Sequence, residues 1–283
     1  MYNLSDINTI KSILSKNGFS FSKALGQNFI VDSTVCPKMA EEAILDGDYG
    51  VVEVGPGIGV LTAELAKRAK KVVAVELDDR LPPILNETLS DFDNVKIVPG
   101  DIMKIDVKKL IEDEFPSMKV VVCANLPYYI TSPVIMKLLQ ENLPIEAVVV
   151  MVQKEAADRL CADVGTRDAG AVTVAVNYYA EAEKLFFVPR DSFMPAPKVD
   201  SEVIKLSLRT DRENLVDDED KFFTMVKTAF TKRRKTIMNS LCIGSVTKEL
   251  LGSTLDELEI SRTARIEELN MDDLVNIYNK LYK

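Results

Sequence analysis

The chain has 283 residues, 47% hydrophobic and 28% charged, and its 44 acidic and 35 basic side chains give a formal net charge of −9. That balance is ordinary for a globular protein with a real core, and the length suits one large domain plus a smaller one; no apolar run approaches the ~20 residues needed to cross a membrane. Histidine is absent, which excludes serine–histidine and cysteine–histidine catalysis and every histidine-ligated metal site.

The opening stretch, MYNLSDINTIKSILSK, lacks the charged start and apolar run of a secretion signal, so a cytoplasmic location is expected. Cys36, Cys123, Cys161 and Cys242 are scattered without a CxxC pair and read as buried thiols, not disulfides or metal ligands. From about residue 35 to 208, short apolar runs alternate with helical patterns. The predicted strands are VVEV (51–54), KVVAVEL (71–77), VKIVP (95–99), VVVCA (120–124), AVVVMV (147–152), and later AVTVAV and VIKLSL. The helical patterns include VCPKMAEEAIL, VLTAELAKRA, RLPPILNETL, SPVIMKLLQEN and QKEAADRL. This alternation, with near-continuous apolar strands, predicts an α/β fold with a mostly parallel sheet covered by helices.

After 208 the strand signals stop. An acidic stretch (209–220) reads as an exposed linker, followed by helices KFFTMVKTAFTKRRKTIMNSL, VTKELL, TLDELEI and MDDLVNIYNKLY, the last with Asn270 as N-cap. Two domains follow, 1–208 and an all-helical 209–283. The second carries seven basic and no acidic residues between Lys221 and Lys248, centred on Lys232, Arg233, Arg234 and Lys235. A polyanionic partner is therefore compatible with a negative net charge, because binding follows the distribution of charge and not its sum.

Four features fall at the carboxyl ends of successive predicted strands, the edge where open α/β sheets bind ligands. Gly55, Gly57 and Gly59 follow the first strand and permit a tight turn with close backbone approach to a ligand; the GxGxG spacing disfavours a nicotinamide site. Glu76 ends the next strand, where a carboxylate can accept from both ribose hydroxyls, and Asp101 follows the third, within reach of an adenine amine. The fourth strand runs into Asn125-Leu126-Pro127-Tyr128. Phe193 precedes a stiff PxP loop that leads into a late strand and can present it to a ligand.

Together these stretches resemble the S-adenosylmethionine-dependent rRNA adenine N6-dimethyltransferases, in particular the bacterial 16S branch linked to kasugamycin sensitivity. KALGQNFI (23–30), VVEVGPGIGVLT, VVAVELDDRL, GDIMKID, NLPYYITSP, FMPAPKVDS and AFTKRRKTIMNSL occur in the family's order and cover nearly the whole chain. The resemblance implies a Rossmann-like class I methyltransferase sheet of seven strands, the last antiparallel, with a smaller all-helical C-terminal domain. It implies that Asn28 and Ile30 contact the methyl donor through backbone groups, that Gly55 lies beside the donor's amino-acid portion, and that Glu76 holds its ribose and Asp101 its adenine. Asn125 then lies between donor and acceptor. Tyr128 and Phe193 contact the target base, and the carbonyl of Leu126, aimed by Pro127, joins Asn125 in holding the reactive amine. Tyr129 departs from the asparagine expected after NLPY in many relatives.

The implied activity is methyl transfer from S-adenosylmethionine, without a metal, to the N6 amines of two adjacent adenosines in a hairpin loop near the 3′ end of 16S rRNA. The implied setting is a monomer acting in small-subunit biogenesis, with no membrane partner. Lys232 to Lys235 are expected to meet rRNA phosphate, together with Lys11, Lys16 and Lys23 of the N-terminal arm. Two alternatives stay open: the related large-subunit adenine dimethyltransferases, and an assembly-binding factor that does not depend on catalysis. A DNA adenine methyltransferase is disfavoured because the resemblance runs through the C-terminal helices.

Overall fold

The computed structural model describes residues 2–22, 26–44, 47–209, 215–242 and 246–282; Lys23 and the centre of the acidic linker lie outside them. Nine strands lie among the described residues: β1 (Phe29–Ile30), β2 (Tyr49–Val54), β3 (Lys71–Glu76), β4 (Val95–Pro99), β5 (Lys119–Asn125), β6 (Ala147–Gln153), β7 (Ala180–Val188), β8 (Phe193–Met194) and β9 (Ser201–Leu208). Seven form one sheet in the order β4-β3-β2-β5-β6-β9-β7, while β1 and β8 make a separate two-stranded ladder.

Strands β4, β3, β2, β5 and β6 run parallel to one another, and β9 is antiparallel to β6 with Val150 opposite Ile204. The central strands are apolar along their whole length because both faces are covered: Val51, Val52, Val122 and Val148 are fully buried. Valine-rich runs suit this position, since β-branched side chains pack well on a pleated surface. The intervening helices are α1 (Ile7–Lys16), α2 (Val35–Ala43), α3 (Val60–Ala66), α4 (Pro82–Thr88), α5 (Val107–Glu114), α6 (Thr131–Gln140) and α7 (Lys154–Leu160).

Five further helices follow: α8 (Ala171–Tyr179), α9 (Glu219–Thr231), α10 (Ile237–Ser240), α11 (Lys248–Glu257) and α12 (Met271–Tyr282). The chain forms two compact units, Met1–Ala157 with Glu183–Leu208, and Asp158–Ala182 with Arg209–Lys283. The second unit therefore includes a segment, 158–182, that lies before the expected boundary at 208. Aromatic packing explains why. Tyr178 and Tyr179 of α8 pack against Phe222 and Phe223 of α9, with ring centroids 5.2 to 5.7 Å apart. Both tyrosine hydroxyls donate to the Glu219 carboxylate, at 3.2 and 2.7 Å.

Two predicted elements differ. AVTVAV lies in helix α8 and not in a strand; Val174, Ala175 and Val176 are all buried, and a helix enclosed on every side carries no polar stripe to reveal its period. The seventh strand is instead β7, AEAEKLFFV, whose charged residues are tolerated because it is the last strand of the sheet. The Asn270 cap holds: Asp273 N donates to Asn270 Oδ1 at 2.9 Å and Asn270 N donates back to Asp273 Oδ2 at 3.0 Å.

Candidate active site

Four neighbouring strands deliver the predicted ligand residues to one sheet edge. Gly55 follows β2, Glu76 ends β3, Asp101 lies just beyond β4, and Asn125 ends β5. They line one open cleft, together with Asn28, Ile30, Leu126, Pro127, Tyr128 and Phe193. Every cleft residue expected from the sequence is thus brought together.

The glycine turn has a physical requirement at two positions. Gly55 has φ +70°, and a Cβ there would meet no atom within 4 Å, so its backbone is open to a ligand. Gly57 has φ +60°, and a Cβ would stand 3.1 Å from the Phe29 ring. The Gly55 N–H donates to the Val75 carbonyl at 2.9 Å, fastening the turn to β3.

Glu76 is buried. Its Oε1 accepts from Asp78 N at 2.7 Å and its Oε2 from Gly57 N at 3.4 Å. Burial raises its carboxyl above the ordinary range, and these backbone donors oppose that rise. Asp101 is half-buried; Oδ1 accepts from Met103 N at 3.0 Å and Oδ2 stands 3.7 Å from Lys104 Nζ. It is thus a turn residue and a cleft residue at once.

Sequence reasoning passed over Glu53, which also lines the cleft. It is 1% exposed, its Oε2 has no hydrogen-bond partner among the described residues, and burial pushes its carboxyl up to about 8. An acidic residue inside the otherwise apolar VVEV was the available signal. A buried, neutral carboxyl with a spare oxygen suits a polar ligand group that can hydrogen-bond to it, and S-adenosylmethionine carries such groups.

On the acceptor side, Asn125 Nδ2 donates to the Asn28 carbonyl at 3.4 Å. This leaves the Asn125 side-chain oxygen as the group not committed by that contact. Pro127 has φ −56° and ψ 130° and starts a short turn, Tyr128–Ile130, that leads into α6. The half-buried Tyr128 shares a 2.7 Å hydrogen bond with Ser201 Oγ, another partner that sequence reasoning did not foresee. Tyr129 is 55% exposed, with its ring against Gly26. Phe193 is only 4% exposed; its strand β8 pairs with β1, setting it opposite Ile30, so it is a wall of the cleft more than a presented ring.

A family model described as ribosomal RNA adenine dimethylase matches residues 18–283. The chain belongs to that ribosomal RNA adenine dimethylase family. It is 49% identical to "Ribosomal RNA small subunit methyltransferase A" of Geobacillus thermodenitrificans, over 96% of this chain and 94% of the relative. It is 46% identical to the protein of the same description from Clostridioides difficile, over 99% and 98%. Among solved structures it is similar to a dimethyladenosine transferase from Plasmodium falciparum, with a TM-score of 0.72 and 27% identity, covering 86% of this chain and 95% of that one. It is also similar to the 23S rRNA methyltransferase ErmE, with a TM-score of 0.68 and 28% identity over 90% and 100%.

As a dimethylase of this family the chain is an S-adenosylmethionine-dependent methyltransferase on a class I, Rossmann-like sheet. Among the described residues no cluster of three or more metal-ligating side chains occurs, and no helix is long and apolar enough to cross a membrane. In the second unit the basic cluster forms the turn between α9 and α10 instead of continuing a helix. Ile237 and Leu241 are buried and anchor it, and the Ile237 N–H donates to the Ala264 carbonyl at 2.7 Å. Lys232, Arg234 and Lys235 are exposed. Arg233 differs: it pairs with Glu267 and donates to the Arg167 carbonyl, so it fastens the turn. In the first unit Lys11 is exposed, while Lys16 pairs with Glu87 at 2.8 Å. Lys23 lies outside the described residues.

Proposed function

We propose that this dimethylase transfers methyl groups from S-adenosylmethionine to the N6 amines of two adjacent adenosines in a hairpin loop near the 3′ end of 16S rRNA, within the small-subunit particle. On this reading it works as a cytoplasmic monomer in small-subunit biogenesis. The observation that carries the chemistry is the Asn125 amide, whose nitrogen is held by the Asn28 carbonyl.

An adenine exocyclic nitrogen is a weak nucleophile because its lone pair is delocalised into the ring. Asn125 Oδ1 and the Leu126 carbonyl each accept one amine hydrogen, which turns the lone pair toward the donor side of the cleft at near-attack distance. Two oriented acceptors also favour the positive charge that grows on nitrogen during transfer, so no strong base is needed beforehand. The donor supplies an electrophilic methyl on a sulfonium. Glu76 would hold its ribose, Asp101 its adenine amine, Gly55 its amino-acid portion, and the backbone of Asn28 and Ile30 its remaining edge. Tyr128, braced by Ser201, stacks on the extruded base, a contact of ~1–3 kcal/mol, with Phe193 behind it. A loop adenosine costs less to unstack than a paired one, which suits a hairpin target.

Lys232, Arg234 and Lys235 supply phosphate contacts. The small-subunit reading is favoured by the 49% identity to a small-subunit methyltransferase. A large-subunit target is the second reading, supported by the likeness to ErmE. Labelled S-adenosylmethionine offered to undermethylated small-subunit particles, naked 16S rRNA and 23S rRNA discriminates them. Label should appear at two adjacent adenosines of the small subunit; label confined to 23S rRNA overturns the proposal.

A further inference from the structure

Two residues past Glu76, Asp78 is 5% exposed and collects four side-chain hydrogen bonds. Its Oδ2 accepts from Gln27 Nε2 at 2.8 Å and from Arg80 Nη2 at 2.6 Å; its Oδ1 accepts from Arg80 Nε at 2.8 Å and Arg80 N at 3.1 Å. Its own N–H donates to Glu76 Oε1 at 2.7 Å. One carboxylate thus links the strip 26–30, which lines the cleft, to the end of β3.

The link reaches further along the N-terminal segment. Gln27 Oε1 accepts from Ser22 N at 2.9 Å, and Arg80 Nη1 donates to the Ser20 carbonyl at 3.3 Å. The Arg80 guanidinium lies 4.7 Å from the Phe19 ring centroid, and the rings of Phe19, Phe21 and Phe29 cluster at 5.2 to 6.4 Å. Phe29 in turn packs over Gly57 in the glycine turn.

We propose that Gln27, Asp78 and Arg80 are positioning residues forming a latch that holds the 26–30 strip against the donor side of the cleft and sets the rate of donor exchange. The chemistry of the pair is suited to this. Arg80 keeps Asp78 ionised and in place through a bidentate contact, whereas Gln27 grips it through one neutral donor. A single amide-to-carboxylate hydrogen bond biases the strip toward closure yet is broken at modest cost, as each turnover requires. Exchange matters because, on the reading proposed above, each adenosine consumes two donors in succession. Neither Gln27 nor Arg80 is assigned contact with the reacting atoms.

The test compares the wild type, Gln27→Ala, Asp78→Asn, their double variant and Gln27→Glu, each checked by thermal unfolding. Release of S-adenosylhomocysteine is followed by stopped flow and S-adenosylmethionine binding by calorimetry. Gln27→Ala should release product about tenfold faster and raise the donor KM similarly, the loss of one charge-assisted hydrogen bond, with no fall in kcat at saturating donor. Gln27→Glu should exceed it, since two carboxylates then face each other, and the double variant should be no worse than the poorer single one. Hydrogen exchange at the amides of 28–30, read without donor, should quicken in Gln27→Ala. Unchanged release and exchange, effects that multiply in the double variant, or a fall in kcat at constant KM would each overturn the latch. A wild type that fails to bind S-adenosylmethionine would overturn the donor reading instead, while the donor-free exchange still decides the latch. If Asp78→Asn does not fold, the two Gln27 variants decide the matter.

Discussion

Asn125 does its work through which end of its amide faces the acceptor. Its Nδ2 is engaged by the Asn28 carbonyl, so a backbone oxygen donated by the N-terminal strip orients a side chain on the fourth strand of the sheet edge. Asn125→Ala should leave donor affinity within about threefold while lowering kcat by about 10²–10³, the range for removing one oriented group from a charge-stabilising pair. Calorimetry with S-adenosylmethionine and single-turnover methylation separate the two quantities. Glu53 gives the opposite lesson, a residue whose cost is visible in stability. Burial pushes its carboxyl up to about 8, from an ordinary value of 4.5. The folded state therefore holds it neutral, and the stability present below pH 4.5 is lost as pH rises through about 8. Glu53→Gln should match the wild type near pH 5 and unfold at higher temperature above pH 8, by several kcal/mol of stability at about 1.4 kcal/mol per pH unit. Equal melting curves at pH 8.5 would show that Glu53 is not held neutral in the fold.

At the level of elements, strand ends were the most legible part of the chain. Glu76 and Asn125 end apolar runs abruptly, and the register of parallel strands then forces such residues to one edge. What escaped was set by long-range packing. Nothing local in AVTVAV separates a strand from an enclosed helix, and β7 hides its strand character behind Glu181, Glu183 and Lys184. The Asn28–Asn125 and Tyr128–Ser201 contacts join positions 97 and 73 residues apart, beyond the reach of spacing rules. The basic turn shows the same limit: four adjacent cations look equivalent in sequence, but Glu267 claims Arg233. Neutralising Lys232, Arg234 and Lys235 together should flatten the dependence of log K on log salt for small-subunit particles by about 2–3, whereas Arg233→Gln should chiefly lower the melting temperature. Binding titrations at 50–200 mM salt measure the slope, and thermal unfolding measures the effect of Arg233→Gln.

For the molecule as a whole, the division into units is discontinuous in sequence: Asp158–Ala182 joins Arg209–Lys283, while Glu183–Leu208 returns to the sheet. A fragment spanning 209–283 would lack Tyr178 and Tyr179, the partners of Glu219 and Phe223. It should show little helix by circular dichroism, and a native-like spectrum would show that α8 is dispensable. The same interleaving constrains biosynthesis. A chain made from its N-terminus exposes two tyrosines some forty residues before Glu219 is translated, and it presents the sheet with one edge of β6 open until β9 follows. The first unit is complete only at Leu208, after Asp158–Ala182 of the second has been made, and that segment then waits for Arg209–Lys283, so the nascent chain carries adhesive surface through much of its translation, a period in which chaperone contact would act on parts of both units.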